Sequence, residues 1–478
     1  MLESQTLNYI KAKKIKFREF SFDTRSLKKR DIFFAIDGSS NNGNNFILEA
    51  QKKGASLIVV SSKTLIPKLL KIPFIRVDNV RKELSLSAYL FYKSNIKTKI
   101  GVTGTNGKTS ITFFLKYLLT KLNKKTISVG TLGFSNSRKN VNLTSPDPIS
   151  LFKELKLASS QNHKILVMET SSHGLDQERF FGLKFDLSIL TNISHDHLDY
   201  HRTMKNYIKS KAKLFTEYTN DNGKTLINAD SKHLKAFKSE VKINKKLKPI
   251  YFNLDNNFKV DSIHRSENGT DIITAIIGGE KIIFQFRSWP FFQIQNFLLA
   301  SVGLYLIGYN IKKIAKLSLN CPYVPGRMEM VGSTISLAKI YVDFAHTPDA
   351  LKSSLKEARK ICKGRLIVLF GCGGDRDKKK RPIMGQIANE YADLAYVTDD
   401  NPRTESPKKI REEIINNSEY LIDFGSRENA IKKAISRLQS DDLLLIAGKG
   451  HEDYQIIKNK KYKFSDKEIV KKYLRKYE

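Results

Sequence analysis

The sequence predicts an α/β protein of three domains built on mostly parallel sheets. Three observations lead there. Short apolar runs of strand character alternate with helical stretches along the chain. One strand runs through a glycine-rich turn, "GVTGTNGKTS", straight into an amphipathic helix. At 478 residues, the chain also exceeds what one hydrophobic core ordinarily holds.

Residues 1–95 set "DIFFAI", "ASLIVV" and "PFIRV" between polar segments, as a first small α/β unit would. A second unit, 96–324, opens with "KTKIGVTGTNGKTSITFFLKYLLTKL" and continues through the strand-like runs "KILVMET" and "FDLSILTNIS". Within it, residues 255–290 read as a β-rich excursion, followed by an apolar helix near 293–307. Pro322, Pro325 and Gly326 then break the chain. The third unit, 325–478, alternates again through "KIYVDFAHTP", a helix to Cys362, "RLIVLFGCGG", "ADLAYVTDD" and "DDLLLIAGKG", a Rossmann-like order. Parallel sheets of this kind bind ligands at the carboxyl ends of their strands.

Composition narrows the function. No apolar run is long and uninterrupted enough to span a bilayer, and "MLESQTLNYIKAKKIKF" lacks the apolar stretch of a signal peptide. Three scattered cysteines form neither a disulfide framework nor a zinc pattern. A cytoplasmic protein without membrane insertion is expected. The net charge of +35 raises nucleic-acid binding. Its lysines, however, are spread through every segment, so a solvated basic surface that gathers small anions is the expectation, with no nucleic-acid partner.

Chemistry concentrates at the strand ends. Gly104 and Gly107 permit tight turns that aim the N–H groups of the Gly104, Thr105, Asn106, Gly107 loop at phosphate oxygens. Lys108 would reach the terminal phosphates and Thr109 a Mg²⁺ ion, with Ser110 among the nucleotide-binding residues. Gly104 lies three residues before Gly107, a shorter spacing than the common P-loop. Glu169 ends one apolar run, and Asp196, His197, Asp199 and His201 follow another. Carboxylates and imidazole at the edge that carries the phosphate loop suit Mg²⁺ ions bridging ATP and an acceptor. In "DDNPRTE", Pro402 fixes a turn, and the turn would hold Arg403 rigidly against an anionic group.

The segments GTNGKT, "ETSSHGL", "SHDHLDYH", "PGRME", "DFAHTPDAL", "GCGGDRDKKKRPIMG", "DDNPRTE" and "AGKGHEDYQ" together resemble the Mur ligases, and within them those that add diaminopimelate. The resemblance implies an N-terminal UDP-substrate domain, a central ATPase and a C-terminal amino-acid domain. It implies a reaction of peptidoglycan precursor synthesis. ATP phosphorylates the D-glutamyl side-chain carboxylate of UDP-MurNAc-L-Ala-D-Glu, and the amine of meso-diaminopimelate attacks the acyl phosphate. It implies two Mg²⁺ ions, held with help from Thr109, Glu169, His197 and a carbamylated Lys211; the residues alone do not choose Lys211 over Lys209 or Lys213. Phe22, Thr24, Ser39, Ser40 and Asn41 match uridine-side positions. Thr144, Ser145, Ser171, Gln177 and Arg179 match those for the muramoyl dipeptide. Asn296 would lie near adenine, with Arg327 and Asp343 at the domain junction. The diaminopimelate pocket would comprise Arg376, Asp400, Asn401, Pro402, Arg403, Gly448 and Glu452, with Arg403 as a fork on the distal carboxylate. A monomer is expected. A lysine-adding Mur ligase or a folylpolyglutamate synthetase is the nearest alternative, and a P-loop switch or nucleic-acid motor the alternative from another class.

Overall fold

The computed structural model describes residues 2–38, 42–136, 144–242, 246–265, 270–287, 289–416, 418–458 and 460–475. The chain divides into two compact units. The first comprises 1–260, 275–282 and 299–314, and the second 261–274, 283–298 and 315–478.

The first unit contains two sheets. Strands Phe20–Ser21, Ile32–Phe34, Leu57–Ser61 and Phe74–Val77 lie side by side in chain order, all parallel. A seven-stranded sheet takes the order Ile250–Phe252, Thr219–Asn228, Phe185–Leu190, Thr98–Thr103, Ile165–Glu169, Thr126–Gly130, Gly133–Phe134. Only the last pair is antiparallel. Thr98–Thr103 is central, and Ile100, Val102, Leu166, Val167, Met168, Leu187 and Ile189 are wholly buried. Burial on both faces of a parallel sheet explains why these strands read as unbroken apolar runs. The strand order also brings the ends of Thr98–Thr103, Ile165–Glu169 and Phe185–Leu190 to one edge, which is where the polar motifs fall.

The strands Phe258–Arg265, Asp271–Ile277 and Glu280–Phe286 lie in the stretch expected to be β-rich. The second unit holds a six-stranded sheet in the order Glu329–Ser333, Lys339–Asp343, Leu443–Ala447, Leu366–Phe370, Leu394–Thr398, Leu421–Gly425. It is parallel except for its first pair. Helix Pro348–Ile361 is capped at its start by the Thr347 side chain, which accepts from the Ala350 N–H, and begins with proline. A short antiparallel hairpin, Tyr454–Ile457 with Lys460–Lys463, follows. Among the described residues no helix is long and apolar enough to cross a membrane.

Candidate active site

In the first unit the loop after Thr98–Thr103 is pinned from the neighbouring strand end. Gly104 has φ +151°, and a Cβ there would sit 1.8 Å from Thr191 Oγ1. Only glycine fits that approach. The Thr105 N–H donates to Asn192 O at 2.9 Å, and the Asn106 N–H to Asn192 Oδ1 at 3.1 Å. Thr191 Oγ1 donates to Asn106 O. Asn192 therefore takes up two loop N–H groups that the sequence had aimed at phosphate. Sequence reasoning passed over it, although it stands in "LTNIS" just after an apolar strand at this very edge.

Two ammonium groups converge on the same loop. Lys108 Nζ donates to Gly104 O at 2.9 Å and Thr105 O at 2.8 Å. Lys211 Nζ donates to Gly104 O at 2.7 Å and lies 4.3 Å from the Tyr207 ring centroid. Lys211 is 1% exposed, whereas Lys209 and Lys213 on the same helix are not buried. Burial first, and the Lys108 charge second, hold the Lys211 ammonium well below the usual lysine range. Burial thus makes the amine form, which is the nucleophilic one, more accessible than in a solvated lysine.

Glu169, 1% exposed, ends its strand facing the loop. Its carboxylate accepts from Thr109 Oγ1 at 3.1 Å, from the Thr131 N–H at 2.8 Å and from Thr131 Oγ1 at 3.1 Å. Thr131 carried no motif that would have marked it. His197 stands half-exposed with Nε2 3.4 Å from Asp196 Oδ2. Burial lowers its pKa, against the opposing pull of Asp196. The His173 ring packs perpendicular to it at 4.8 Å, its own pKa pulled down to about 4, chiefly by burial. Among the described residues no cluster of three His, Cys, Asp or Glu side chains is arranged to hold a metal.

The predicted dipeptide residues come together beside Glu169. Ser145 Oγ donates to Glu169 O at 3.1 Å and accepts from the Ser171 N–H at 3.0 Å. Arg179 donates to Ser145 O at 2.6 Å and grips Gln177 Oε1 with two groups at 3.1 and 2.7 Å. Thr144 Oγ1 accepts from Thr131 Oγ1 at 3.3 Å. Of the uridine-side positions, Phe22 is exposed and Thr24 buried. Ser39, Ser40 and Asn41 lie outside the described residues.

The second unit assembles its own polar site at strand ends. Arg403 has φ +51°, in the left-handed region, and Nη1 donates to Gly374 O at 2.8 Å. Its backbone pairs with the hairpin: the Arg403 N–H donates to Ile456 O at 3.0 Å and Arg403 O accepts from the Lys458 N–H at 2.8 Å. Asn401 Nδ2 donates to Glu452 Oε2 at 3.0 Å, while Asn401 Oδ1 accepts from Lys449 Nζ at 3.1 Å. Lys449, wholly buried, also donates to Glu452 Oε2 at 3.2 Å and lies 4.0 Å from Asp400 Oδ1. That buried cation was missed, being one lysine among many. Arg376 is exposed; a Cβ on Gly373 would lie 2.7 Å from Arg403 Nη1 and 3.7 Å from Arg376 Cγ, so both side chains pass over this glycine. Asn296 Nδ2 donates to Gln293 Oε1 at 3.3 Å, and Gln293 Nε2 to Arg327 O at 2.8 Å. Asp343 accepts from the Met328 and Ala345 N–H groups and from Ser354 Oγ. Burial nonetheless raises its pKa.

Residues 102–304 match the Mur ligase middle domain, and residues 326–450 the Mur ligase glutamate ligase domain. A protein of Aquifex aeolicus (strain VF5) named UDP-N-acetylmuramoyl-L-alanyl-D-glutamate--2,6-diaminopimelate ligase is 39% identical over 466 residues, covering 95% of this chain and 93% of its own. One of the same name from Rickettsia bellii is 37% identical over 467 residues, covering 94% of each. A solved structure under that name superposes with a TM-score of 0.68 at 27% identity, covering 96% of this chain and 95% of its own. The MurF ligase of Thermotoga maritima in complex with ADP shares the fold, with a TM-score of 0.60 at 19% identity over 96% of this chain and 97% of its own.

Proposed function

Since the chain belongs to the Mur ligase family, we propose that it joins meso-2,6-diaminopimelate to the D-glutamate of UDP-MurNAc-L-Ala-D-Glu, with cleavage of ATP to ADP and phosphate. The spans 1–95, 96–324 and 325–478 take the UDP-substrate, ATP and amino-acid roles. A carboxylate resists attack by an amine because its charge repels the nucleophile and oxide leaves poorly. Transfer of the γ-phosphoryl group to the carboxylate oxygen gives an acyl phosphate. The amine then bonds to the carbonyl carbon, phosphate leaves with the C–O electron pair, and the ammonium loses its proton. Lys108, held at the loop by Gly104 O and Thr105 O, stabilises charge on the phosphoryl oxygens. Arg179 and Ser145 orient the acceptor next to Glu169.

Mg²⁺ fits the first unit's donors. Thr109 and Glu169 offer hard oxygens, and Mg²⁺ characteristically completes its shell with substrate phosphates and water, so a dedicated three-residue cage is not required. When bound, the ions neutralise charge on the transferring phosphoryl group. His197 offers a further donor. As an ammonium, Lys211 would repel a cation; burial disfavours that form, and the deprotonated amine can bond to CO₂ and release one N–H proton, leaving a carbamate that attracts a cation.

The observation that carries the choice of amino acid is that the Arg403 guanidinium and the Arg376 stem both pass over Gly373. Lysine lacks the distal carboxylate that a guanidinium fork grips, and a site left unpaired rejects it. Glu452, whose Oε2 accepts from Asn401 and Lys449, takes the remaining role of accepting from the distal ammonium. The test is phosphate release from ATP, Mg²⁺ and UDP-MurNAc-L-Ala-D-Glu with diaminopimelate or lysine added. Diaminopimelate-dependent release supports the reading. Release with lysine alone, or with neither from folded enzyme, overturns it.

A further inference from the structure

Behind the two arginines lies a hydrogen-bond chain that none of the motif assignments uses. Arg381 is wholly buried, yet belongs to the helix Lys380–Tyr391 next to the loop 371–378. Its guanidinium grips Glu405 through Nη1–Oε2 and Nη2–Oε1 contacts of 3.0 Å each, and also reaches Glu413 at 2.6 Å and Gly373 O at 3.3 Å. Glu405 Oε1 in turn accepts from the Asp375 N–H at 2.6 Å. Asp375, held at φ +54°, accepts from Thr404 Oγ1 at 2.6 Å and the Thr404 N–H at 3.2 Å. The Gly374 N–H donates to Asn401 O at 2.9 Å. The Asp375–Glu405, Asp375–Thr404 and Gly374–Asn401 links join the loop that carries Arg376 to the turn that carries Arg403, and Arg381 ties both to its helix.

We propose that this Arg381–Glu405–Asp375–Thr404 chain is a positioning device that sets the spacing of the Arg376 and Arg403 forks, and thereby the fit of a distal carboxylate between them. The inference rests on the reading of those arginines given above. Its logic is geometric. Both loops leave neighbouring parallel strands, Leu366–Phe370 and Leu394–Thr398, and strand pairing ends before either arginine. Beyond the strands these side-chain links, the Gly374–Asn401 contact, the Arg403 Nη1–Gly374 O bond and the Lys378–Glu405 ion pair fix one loop against the other. Both terminal nitrogens of this buried guanidinium are paired, so it is a stiff anchor for Glu405. The bidentate grip also holds the Glu405 carboxyl far below the usual range, at about 2, so the link stays charged. Without it, each arginine would have to be ordered by the substrate itself, and binding would weaken by that ordering cost.

The test uses Glu405→Gln, Thr404→Val and Thr404→Ser in the full chain, with wild type measured first. Expected for Glu405→Gln is a rise in KM for diaminopimelate of about tenfold, and for Thr404→Val about threefold, the range set by loss of single hydrogen bonds. KM for ATP, KM for the UDP-dipeptide and kcat at saturating diaminopimelate should hold, and Thr404→Ser should restore the wild-type KM. An unchanged KM for diaminopimelate overturns the proposal. So does a joint shift of all three KM values together with the melting temperature, since that marks a merely structural role. Absence of diaminopimelate-dependent turnover in the wild type is a different result, and removes the parent reading instead.

Discussion

Replacing Arg403 with glycine separates what the side chain does for the fold from what it does for the ligand. A residue with a Cβ in the left-handed region costs roughly 1–2 kcal/mol, which glycine removes. Against that stand the lost Arg403 Nη1–Gly374 O bond, about 1 kcal/mol net, and the greater freedom of glycine in the unfolded chain, roughly 0.5–1 kcal/mol. These nearly cancel, so the melting temperature should move by less than about 4 °C. The ligand term does not cancel. Two charge-assisted hydrogen bonds to a carboxylate, at about 1.5–3 kcal/mol each, correspond to two to four orders of magnitude in kcat/KM for diaminopimelate. Phosphate release gives kcat/KM, calorimetry gives ADP affinity, and thermal unfolding gives stability. Arg403→Lys, which keeps the charge and loses the fork, should fall between wild type and glycine. The reasoning fails if Arg403→Gly keeps kcat/KM within about threefold, or if ADP affinity and stability fall alongside it.

Three further outcomes follow from particular contacts. Lys211→Met should lose turnover by about 100-fold or more, the scale of a lost electrostatic group at a reacting phosphoryl. Its melting temperature should stay level or rise, because a buried amine is replaced by an apolar chain of similar length. Gly104→Ala drives a Cβ to 1.8 Å from Thr191 Oγ1, so calorimetry should find ADP binding abolished. The Arg381 guanidinium holds the Glu405 carboxyl at about 2 in the folded state, below its ordinary 4.5. A depressed carboxyl contributes stability that is fully present above pH 4.5 and is lost as pH falls through about 2. Denaturant midpoints of Glu405→Gln should therefore converge on wild type across that window as pH falls; a constant gap would contradict the link.

The α/β architecture was legible because parallel strands buried on both faces leave continuous apolar runs, as in "RLIVLF" and "DLLLIA". The phosphate loop was legible because its glycines and its lysine are adjacent in sequence. Asn192 and Thr131 were not, since each acts on a neighbour, the loop or Glu169, that only the strand order brings near. Lys211 differs from its neighbours by burial alone, a property of the helix face it occupies and invisible in a lysine-rich stretch. Lys449 and Arg381 illustrate the same limit: composition predicts solvated cations, while the fold puts both at 0% exposure and pairs them with carboxylates. A turn opened by Asn401-Pro402 was foreseen, and the Glu405 N–H closes it onto Pro402 O; the left-handed backbone at Arg403, which pairs with the Tyr454–Ile457 hairpin strand, was not.

The central claim is that a guanidinium selects the incoming amino acid by its far acid group. A crystal of the enzyme with bound diaminopimelate and a non-hydrolysable ATP analogue tests it most directly. The account predicts Arg403 nitrogens about 2.7–2.9 Å from both oxygens of the distal carboxylate. A bound diacid whose distal carboxylate contacts other groups, with Arg403 turned to solvent, would contradict it.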